Sequence, residues 1–329
     1  MSDLSLSVLE LTLVEAGTSA GDTLAATVAT TRRAEQLGFR RMWLTEHHGT
    51  PIIASMAPAV LAASYAAATT TMRVGSGGVL VPNHAPLAIA EQFLTLAALH
   101  PGRIDLGMGR GPGTFDESVV RALRRGAGFA TDEEYRASVD ALLGVLADET
   151  GSLMPGVERP RPWLLVSSPA GAGVAAERGL PIAVAHHIRP QHTVEVVERY
   201  REGFRPSRWC QEPYVIVTVR TICADSDAEA AVLARPALVL SENIAKQDSD
   251  APFPTVAEAA EHVIAPELEE GLASYVDQQA EGAPETVARR LTAIAERTGA
   301  DELMLETPVY EADARARSYE LTVKAMRSS

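Results

Sequence analysis

The fold of this chain is constrained most by a regular alternation of short apolar runs and longer segments with helical periodicity. Such alternation is typical of parallel strands joined by helices. Eight of the apolar runs are predicted as β-strands: Leu6–Leu11, Arg41–Glu46, Arg73–Val81, Arg103–Gly109, Trp163–Ser167, Ile182–Ala185, Tyr214–Ile222 and Glu302–Glu306. Eight strand–helix pairs in one chain close most economically into a (β/α)8 barrel, or TIM barrel, and we predict this fold.

The segments between these strands carry apolar residues three and four positions apart and are predicted as helices. They are Asp22–Leu37, Ser55–Thr70, Pro86–Ala98, Asp132–Ala147, Ala172–Arg178, Gln191–Glu202, Ala228–Leu240 and Pro284–Thr298. Gly38, Gly179 and Gly299 follow three of them, as expected for left-handed helix caps. A doubly wound open sheet is the alternative, but its glycine-rich turn after the first strand is missing. Residues 1–329 are therefore predicted as one domain.

The segment Ser241–Gly282, called the insertion below, does not follow this alternation. It is acidic, contains three prolines, and predicts one helix near Val256–His262. A long insertion between the seventh strand and the last helix is typical of a lid over an active site. A surface excursion without such a role is the alternative.

The charge balance argues against nucleic-acid and membrane partners. Lys and Arg total 29 against 43 Asp and Glu, so the formal net charge is −14, and no basic patch offsets it. Two cysteines without metal or redox spacing suit a reducing compartment. No signal-peptide pattern is present, and no apolar run reaches the roughly 18 residues that span a bilayer. We therefore expect a soluble, cytoplasmic protein.

Histidines gather where the predicted strands end. Five of the eight lie there: His47, His48, His84, His186 and His187. Barrel enzymes place their active sites at these carboxyl ends, so the imidazoles are candidates for proton transfer. A metal site is the alternative, but adjacent residues on a strand point to opposite faces and would not share one ion easily. We predict no metal.

Glycines interrupt the third predicted strand at Gly75, Gly77 and Gly78, and remove side chains that could pack there. They predict either a clearing where a flat ring system approaches the backbone, or a β-bulge that adjusts barrel closure. At the next two strand ends, Arg110 lies in a glycine-rich run and Ser168 precedes a helix. A guanidinium beside a helix N-terminus predicts a phosphate site, with an ordinary serine cap as the alternative.

Taken in order, several motifs resemble those of the bacterial luciferase-like, flavin-dependent monooxygenases, and more closely the single-chain alkanal-monooxygenase-like branch. The resemblance covers nearly the whole chain. Its motifs include Trp43-Leu44-Thr45-Glu46-His47-His48, Arg73-Val74-Gly75-Ser76-Gly77-Gly78-Val79, Pro82-Asn83-His84-Ala85-Pro86-Leu87, Pro101-Gly102-Arg103-Ile104-Asp105-Leu106-Gly107 and Ala175-Ala176-Glu177-Arg178-Gly179-Leu180-Pro181.

The resemblance implies a barrel that binds reduced flavin mononucleotide (FMN) as co-substrate at the carboxyl ends of its strands. Dioxygen would react there to give a peroxyflavin that oxygenates a small organic substrate. A separate flavin reductase would supply the reduced FMN through transient contact. Relatives are often dimers through helices near the second and third strands, so a homodimer is expected.

Residue by residue, the resemblance implies that His47 is the catalytic residue. A cis peptide bond is expected between Gly77 and Gly78, against the flavin ring. The expected cofactor-binding residues are Ser76, Gly77, Gly78, Arg110, Ser168 and His186. Residues expected to support the site or line the substrate pocket are Glu46, His48, His84 and His187.

Some positions differ from the luciferase large subunit. Gly109 replaces a reactive cysteine, Gly171 replaces a phosphate-binding threonine, and His186-His187 replace a tryptophan and an aliphatic residue. Light emission from long-chain aldehydes is therefore not expected. Two alternatives remain open: a deazaflavin-dependent hydride-transfer oxidoreductase on the same fold, and a non-catalytic flavin-binding partner subunit.

Overall fold

Eight parallel strands form a closed barrel in the computed structural model, which describes residues 4–148, 153–248 and 251–328. The barrel strands are β1 (Ser5–Glu10), β2 (Arg41–Leu44), β3 (Arg73–Leu80), β4 (Ile104–Gly109), β5 (Arg161–Val166), β6 (Ile182–Val184), β7 (Val215–Cys223) and β9 (Glu302–Glu306), and a further short strand is β8 (Ala280–Gly282). Each pairs with the next from β1 to β7, and β9 closes the barrel between β7 and β1. The short β8 extends the wall beside the end of β7. The predicted (β/α)8 barrel is confirmed.

Helices surround this barrel. They are α1 (Ala20–Leu37), α2 (Pro58–Ala68), α3 (Pro86–Leu99), α4 (Glu117–Leu123), α5 (Asp132–Ala147), α6 (Pro169–Glu177), α7 (Thr193–Gly203), α8 (Asp227–Ala245), α9 (Val256–Glu261), α10 (Pro266–Asp277), α11 (Pro284–Thr298) and α12 (Ala312–Ser328). The sequence prediction lacks α4, α10 and α12, which are respectively short, part of the insertion, and beyond the last strand. Within the described ranges, no helix combines the length and hydropathy that crossing a bilayer requires.

Local sequence signals explain several helix ends. Gly38, with φ 89°, and Gly299, with φ 60°, end α1 and α11 in the left-handed conformation, as predicted. Thr131 and Glu134 form a capping box that starts α5. These ends fix where the chain turns into each following strand.

The barrel interior is layered. A middle layer of apolar side chains is formed by Leu9, Trp43, Trp163, Ala183, Ile216 and Met304. Because side chains alternate along a strand, the residues four positions after Ile216 and two positions after Met304 also point inward, at the carboxyl-terminal mouth. The mouth therefore receives Arg220 from β7 and Glu306 from β9.

A buried ionic network, the Arg41 network, fills the layer at the amino-terminal end of the barrel. Arg41 donates through Nε and Nη2 to the two carboxylate oxygens of Glu302 at 2.8 and 3.0 Å, and through Nη1 to Asp105 Oδ2 at 2.6 Å. Arg73 donates to the other Asp105 oxygen at 2.6 Å. The side chains of Arg41, Asp105 and Glu302 are 0% exposed. Two guanidinium groups thus balance two carboxylates and join β2 to β4 and β9.

The insertion consists of packed elements rather than an extended loop. Its first residues complete α8, its last three form β8, and α9 and α10 lie between. Phe253 is 1% exposed and stacks on Tyr310 with ring centroids 6.1 Å apart. The predicted helix near Val256–His262 is observed as α9, while the role of the insertion as a lid remains a prediction.

Replacing Arg41 with Met tests the Arg41 network. The free energy of unfolding should fall by about 3–5 kcal/mol, because Glu302 loses its guanidinium partner inside the barrel. Arg33→Met is the matched control, since Arg33 pairs with Glu320 on the surface, and it should change stability by about 1 kcal/mol or less. Urea unfolding at pH 7 measures both. Equal losses would contradict a special contribution of the buried network.

Candidate functional site

The carboxyl ends of β2 and β3 bring Glu46, His48 and His84 together. The Nε2 atoms of His48 and His84 each lie 2.7 Å from Glu46 Oε1, and the Leu80 N–H donates to Glu46 Oε2 at 3.0 Å. These groups are called the Glu46 network. Burial alone would raise the pKa of the Glu46 carboxyl, but the donors around it lower that pKa to about 2. Glu46 is therefore an anion at neutral pH.

His47 lies between two members of this network in sequence, and its main chain is fixed on both sides. Its N–H donates to Ser55 O at 3.0 Å, and the next N–H, of His48, donates to Gly113 O at 2.8 Å. Burial, together with the nearby His48 and His187, lowers the pKa of His47 to about 4, although Glu46 opposes the shift. The His47 imidazole is therefore neutral at pH 7 and can accept a proton.

Across the mouth, β6, β7 and β9 contribute a second polar group. Arg220 Nε lies 3.3 Å from Glu306 Oε2, and the two residues are 5% and 2% exposed. His187 lies beside them, and burial and Arg220 lower its pKa to about 4. The sequence prediction lacks Arg220 and Glu306. Counting alternate positions from the interior residue Ile216 would have indicated the inward direction of Arg220.

Residues of the insertion form hydrogen bonds with the main chain of this second polar group. Tyr275 donates through its hydroxyl to His187 O at 2.6 Å, and its ring centroid lies 5.1 Å from the Arg220 guanidinium. The Arg220 N–H donates to Gln279 Oε1 at 3.0 Å. The carboxyl-terminal part of the insertion thus covers the β6 and β7 side of the mouth.

His186 has a different position from the one expected for a cofactor-binding residue. It is 0% exposed; its Nδ1 lies 2.8 Å from Thr193 Oγ1 and its Nε2 lies 2.8 Å from Gln278 O. Burial lowers its pKa to about 4, so the ring is neutral and donates through Nε2 to the carbonyl. Both ring nitrogens are therefore engaged within the chain. His186 joins the insertion to the chain that follows β6, and its role as a cofactor-binding residue stays a prediction.

Arg110 and Ser168 lie at the ends of β4 and β5, which are neighbours in the barrel. Ser168 caps α6 by accepting a hydrogen bond from the Gly171 N–H at 3.3 Å. Arg110 is exposed, and its Nη2 lies 2.7 Å from Asp132 Oδ1. A Cβ built on the exposed Gly111, next to Arg110 in the chain, would meet no atom within 4 Å. A guanidinium and a hydroxyl are groups that can bind a phosphate.

The surroundings of the glycines in β3 favour one of the two interpretations given above, the β-bulge. A Cβ on Gly75 would lie 2.2 Å from Asp105 O, and one on Gly77 would lie 2.5 Å from Leu9 Cδ1. The pairing register of β3 with β4 shifts between Ser76 and Val79. The Cβ directions of these glycines are therefore filled by protein, and the β-bulge alternative is right about their packing role.

The peptide bond between Gly77 and Gly78 is cis, as the resemblance implies. Ser76 is 0% exposed and donates its hydroxyl hydrogen to Gly107 O at 2.7 Å. Its side chain is thus committed to the barrel wall, and a cofactor contact by Ser76 would have to come from its main chain. In the part of the chain that the structure describes, no three His, Cys, Asp or Glu side chains are grouped as metal ligands.

Comparison with known proteins identifies the family. A family model described as luciferase-like monooxygenase matches residues 5–302. The chain belongs to this family. It is 38% identical to the Bacillus subtilis protein YvbT and 35% identical to an Escherichia coli K12 luciferase-like monooxygenase, each covering 97% of this chain and 96% of the relative.

Solved structures agree with the family fold. The structure of apo-MsnO8 is 33% identical, covers 99% of both chains and superposes with a TM-score of 0.89. Two more distant structures share the fold. The oxygenating constituent of the Pseudomonas putida 3,6-diketocamphane monooxygenase, solved with FMN, has a TM-score of 0.74 at 18% identity and covers 98% and 97% of the two chains. An F420-dependent secondary alcohol dehydrogenase has a TM-score of 0.67 at 15% identity and covers 99% of both.

Replacing His186 with Leu tests the attachment of the insertion. The change leaves the Gln278 carbonyl and the Thr193 hydroxyl without this partner, and a buried polar group left unpaired costs about 1–3 kcal/mol. We expect faster protease cleavage within the insertion. His192→Leu is the control, because the His192 side chain is 43% exposed. If both variants are cleaved at the wild-type rate, His186 does not hold the insertion.

Proposed function

We propose that this luciferase-like monooxygenase uses reduced FMN and dioxygen to oxygenate a small organic substrate, and that a separate flavin reductase supplies the reduced FMN. The observation that supports the proposal is a neutral His47 after β2, together with Arg110 and Ser168 at the carboxyl ends of the neighbouring strands β4 and β5. The insertion partly covers the barrel mouth. A proton acceptor, a phosphate site and a cover are the three elements that this chemistry requires.

Arg110 and Ser168 would hold the FMN phosphate, with Arg110 turning from Asp132 to the ligand. The main chain at Ser76, Gly77 and Gly78 would support the flavin ring. Reduced FMN, when bound, supplies the electrons for inserting one oxygen atom of dioxygen into the substrate while the other leaves as water.

His47 would act in proton transfer through Nε2, because its Nδ1 lies 3.2 Å from Thr45 Oγ1. Burial and the neighbouring histidines keep this imidazole neutral at pH 7, which leaves a lone pair available. The insertion, with Tyr275 above Arg220, would act as a lid that limits water at the reacting atoms. Water exclusion matters because premature breakdown releases hydrogen peroxide instead of product.

A deazaflavin-dependent hydride transfer is the second candidate, since the F420-dependent alcohol dehydrogenase shares the fold. Titration with FMN and with coenzyme F420 separates the two proposals. A non-catalytic partner subunit is a weaker alternative, because Glu46, His47, His48 and Arg110 are all present.

The expected homodimer remains a proposal and has a candidate surface. Val60 on α2 and Leu87 on α3 are 69% and 49% exposed; α2 packs against β2 and β3, and α3 packs against α2 and β4. Exposed apolar side chains on neighbouring helices are typical of subunit interfaces. We also retain the cytoplasmic location as a proposal.

His47→Ala tests the catalytic assignment. FMN affinity should stay close to that of the wild type, because the phosphate residues are unchanged. Proton transfer by the imidazole contributes about 10²–10⁴-fold, so product formation should fall by that order while hydrogen peroxide release rises. Product yield and peroxide per reduced FMN are the measurements. An unchanged ratio of product to peroxide would refute the role of His47.

Arg110→Met tests the phosphate site. Loss of a charge-assisted hydrogen bond of about 1.5–3 kcal/mol should raise the FMN dissociation constant roughly tenfold to a hundredfold. Riboflavin, which lacks the phosphate, should bind the variant and the wild type alike. Arg136→Met, which removes an exposed cation near Glu177, is the control. Equal weakening of FMN and riboflavin would place the phosphate elsewhere.

A further inference from the structure

We propose that Glu46 is a positioning residue that fixes where the His47 imidazole is presented in the barrel mouth. The proposal rests on the catalytic role proposed above for His47. Both carboxylate oxygens of Glu46 accept hydrogen bonds from within the chain, and the residue is 2% exposed. It would therefore act through its neighbours and not on the substrate.

The Glu46 network joins two loops that surround the mouth. Glu46 and His48 belong to the connection between β2 and α2, whereas Leu80 ends β3 and His84 precedes α3. One carboxylate accepts three hydrogen bonds at 2.7, 2.7 and 3.0 Å, and Glu46 is 2% exposed. Removing a buried carboxylate from its hydrogen bonds costs free energy. The Glu46 network therefore holds the two loops at a fixed separation.

His47 depends on this arrangement because its own ring is weakly held. The contact between its Nδ1 and Thr45 Oγ1 is 3.2 Å, long for a hydrogen bond to a hydroxyl. Its main chain is held by the bonds to Ser55 and Gly113, and Glu46 and His48 flank it directly. The residues on both sides of His47, Glu46 and His48, are joined by the Glu46 network, so this network and the bonds to Ser55 and Gly113 together fix the main chain from which the imidazole projects.

The network also sets the tautomers of two histidines. An ionised carboxylate can only accept hydrogen bonds, so His48 and His84 must both donate to Glu46 Oε1 through Nε2–H. The charged and titratable groups around His47 are Glu46 and His48 on its own loop and His187 from β6, with Arg220 beside His187. Glu46 is the anion among them.

Glu46→Gln tests the proposal. A carboxamide cannot accept from both imidazoles and from the Leu80 N–H, because one oxygen becomes an NH2 donor. We expect kcat to fall by up to about 100-fold, because a displacement of a functional group by about 1 Å can cost that much. The FMN dissociation constant should stay within about twofold of the wild type, since Glu46 does not reach the phosphate site. In the protein without FMN, ¹⁵N NMR should show Nε2–H tautomers for His48 and His84 in the wild type and shifted His47 ring signals in the variant.

Glu35→Gln is the matched control. Glu35 is a second carboxylate that accepts several hydrogen bonds, from the N–H groups of Thr70, Thr71 and Met72 at 2.9, 2.7 and 2.9 Å, and its pKa is also lowered to about 2. Glu35 lies on α1 and binds the chain that leads into the amino-terminal end of β3. Its replacement should affect stability while leaving kcat and the His47 signals unchanged. A kcat loss equal to that of Glu46→Gln would show a general structural effect and overturn the proposal.

A second pair of variants covers the case in which Glu46→Gln does not fold. His84→Gln retains an N–H donor toward Glu46, whereas His84→Leu removes it. We expect a smaller loss of kcat in the first than in the second, because only the first keeps a donor to Glu46; equal losses in the two variants would overturn the proposal. Wild-type tautomers other than Nε2–H, or unmoved His47 signals in His84→Leu, would also overturn the proposal. If the wild type binds FMN but forms no oxygenated product, the proposed function fails, while the NMR result still decides whether Glu46 positions His47.

Discussion

The buried Arg41 network is the interaction on which the rest of the barrel depends. Charges inside a barrel are tolerated only when each is paired, and Arg41, Arg73, Asp105 and Glu302 are paired across β2, β3, β4 and β9. The geometry of these bonds is compatible with one strand register, because a shift by one residue would turn each side chain outward. The amino-terminal layer thus holds the barrel closed, and the opposite end of the same strands is free to carry polar groups with chemical roles.

At the mouth, hydrogen-bond donors keep one side chain charged, whereas burial keeps neighbouring side chains neutral. Glu46 is surrounded by donors and stays ionised, whereas burial keeps His47, His186 and His187 neutral. A neutral imidazole can accept a proton at pH 7, and an ionised carboxylate can hold two loops together. Two adjacent residues after β2 therefore supply a candidate reactive group, His47, and the carboxylate that supports it, Glu46.

The sequence predicted the elements whose local signals are strong. The eight strands, the cap at Gly38 and the left-handed turn at Gly299 agree with the structure, and so does the cis bond at Gly77-Gly78, which the family resemblance implies. The contacts of a side chain are less accessible to sequence analysis. His186 and His187 are adjacent, yet the His186 ring contacts Thr193 and Gln278, while the His187 ring lies near Thr218 and Arg220. Arg220 and Glu306 gave no motif, because an arginine and a glutamate 86 positions apart in the chain show no local pattern.

The sequence by itself determined the barrel, its family and the residue types at the strand ends, because periodicity, helix caps and short motifs are local properties. The tertiary structure alone decided which of those residues meet. It filled the space beside the glycines of β3 with Leu9 and Asp105, committed both nitrogens of His186 to Thr193 and Gln278, and placed Glu46 between two imidazoles. Such contacts join residues far apart in the chain, and their geometry is fixed only when the strands are paired in register and the barrel is closed.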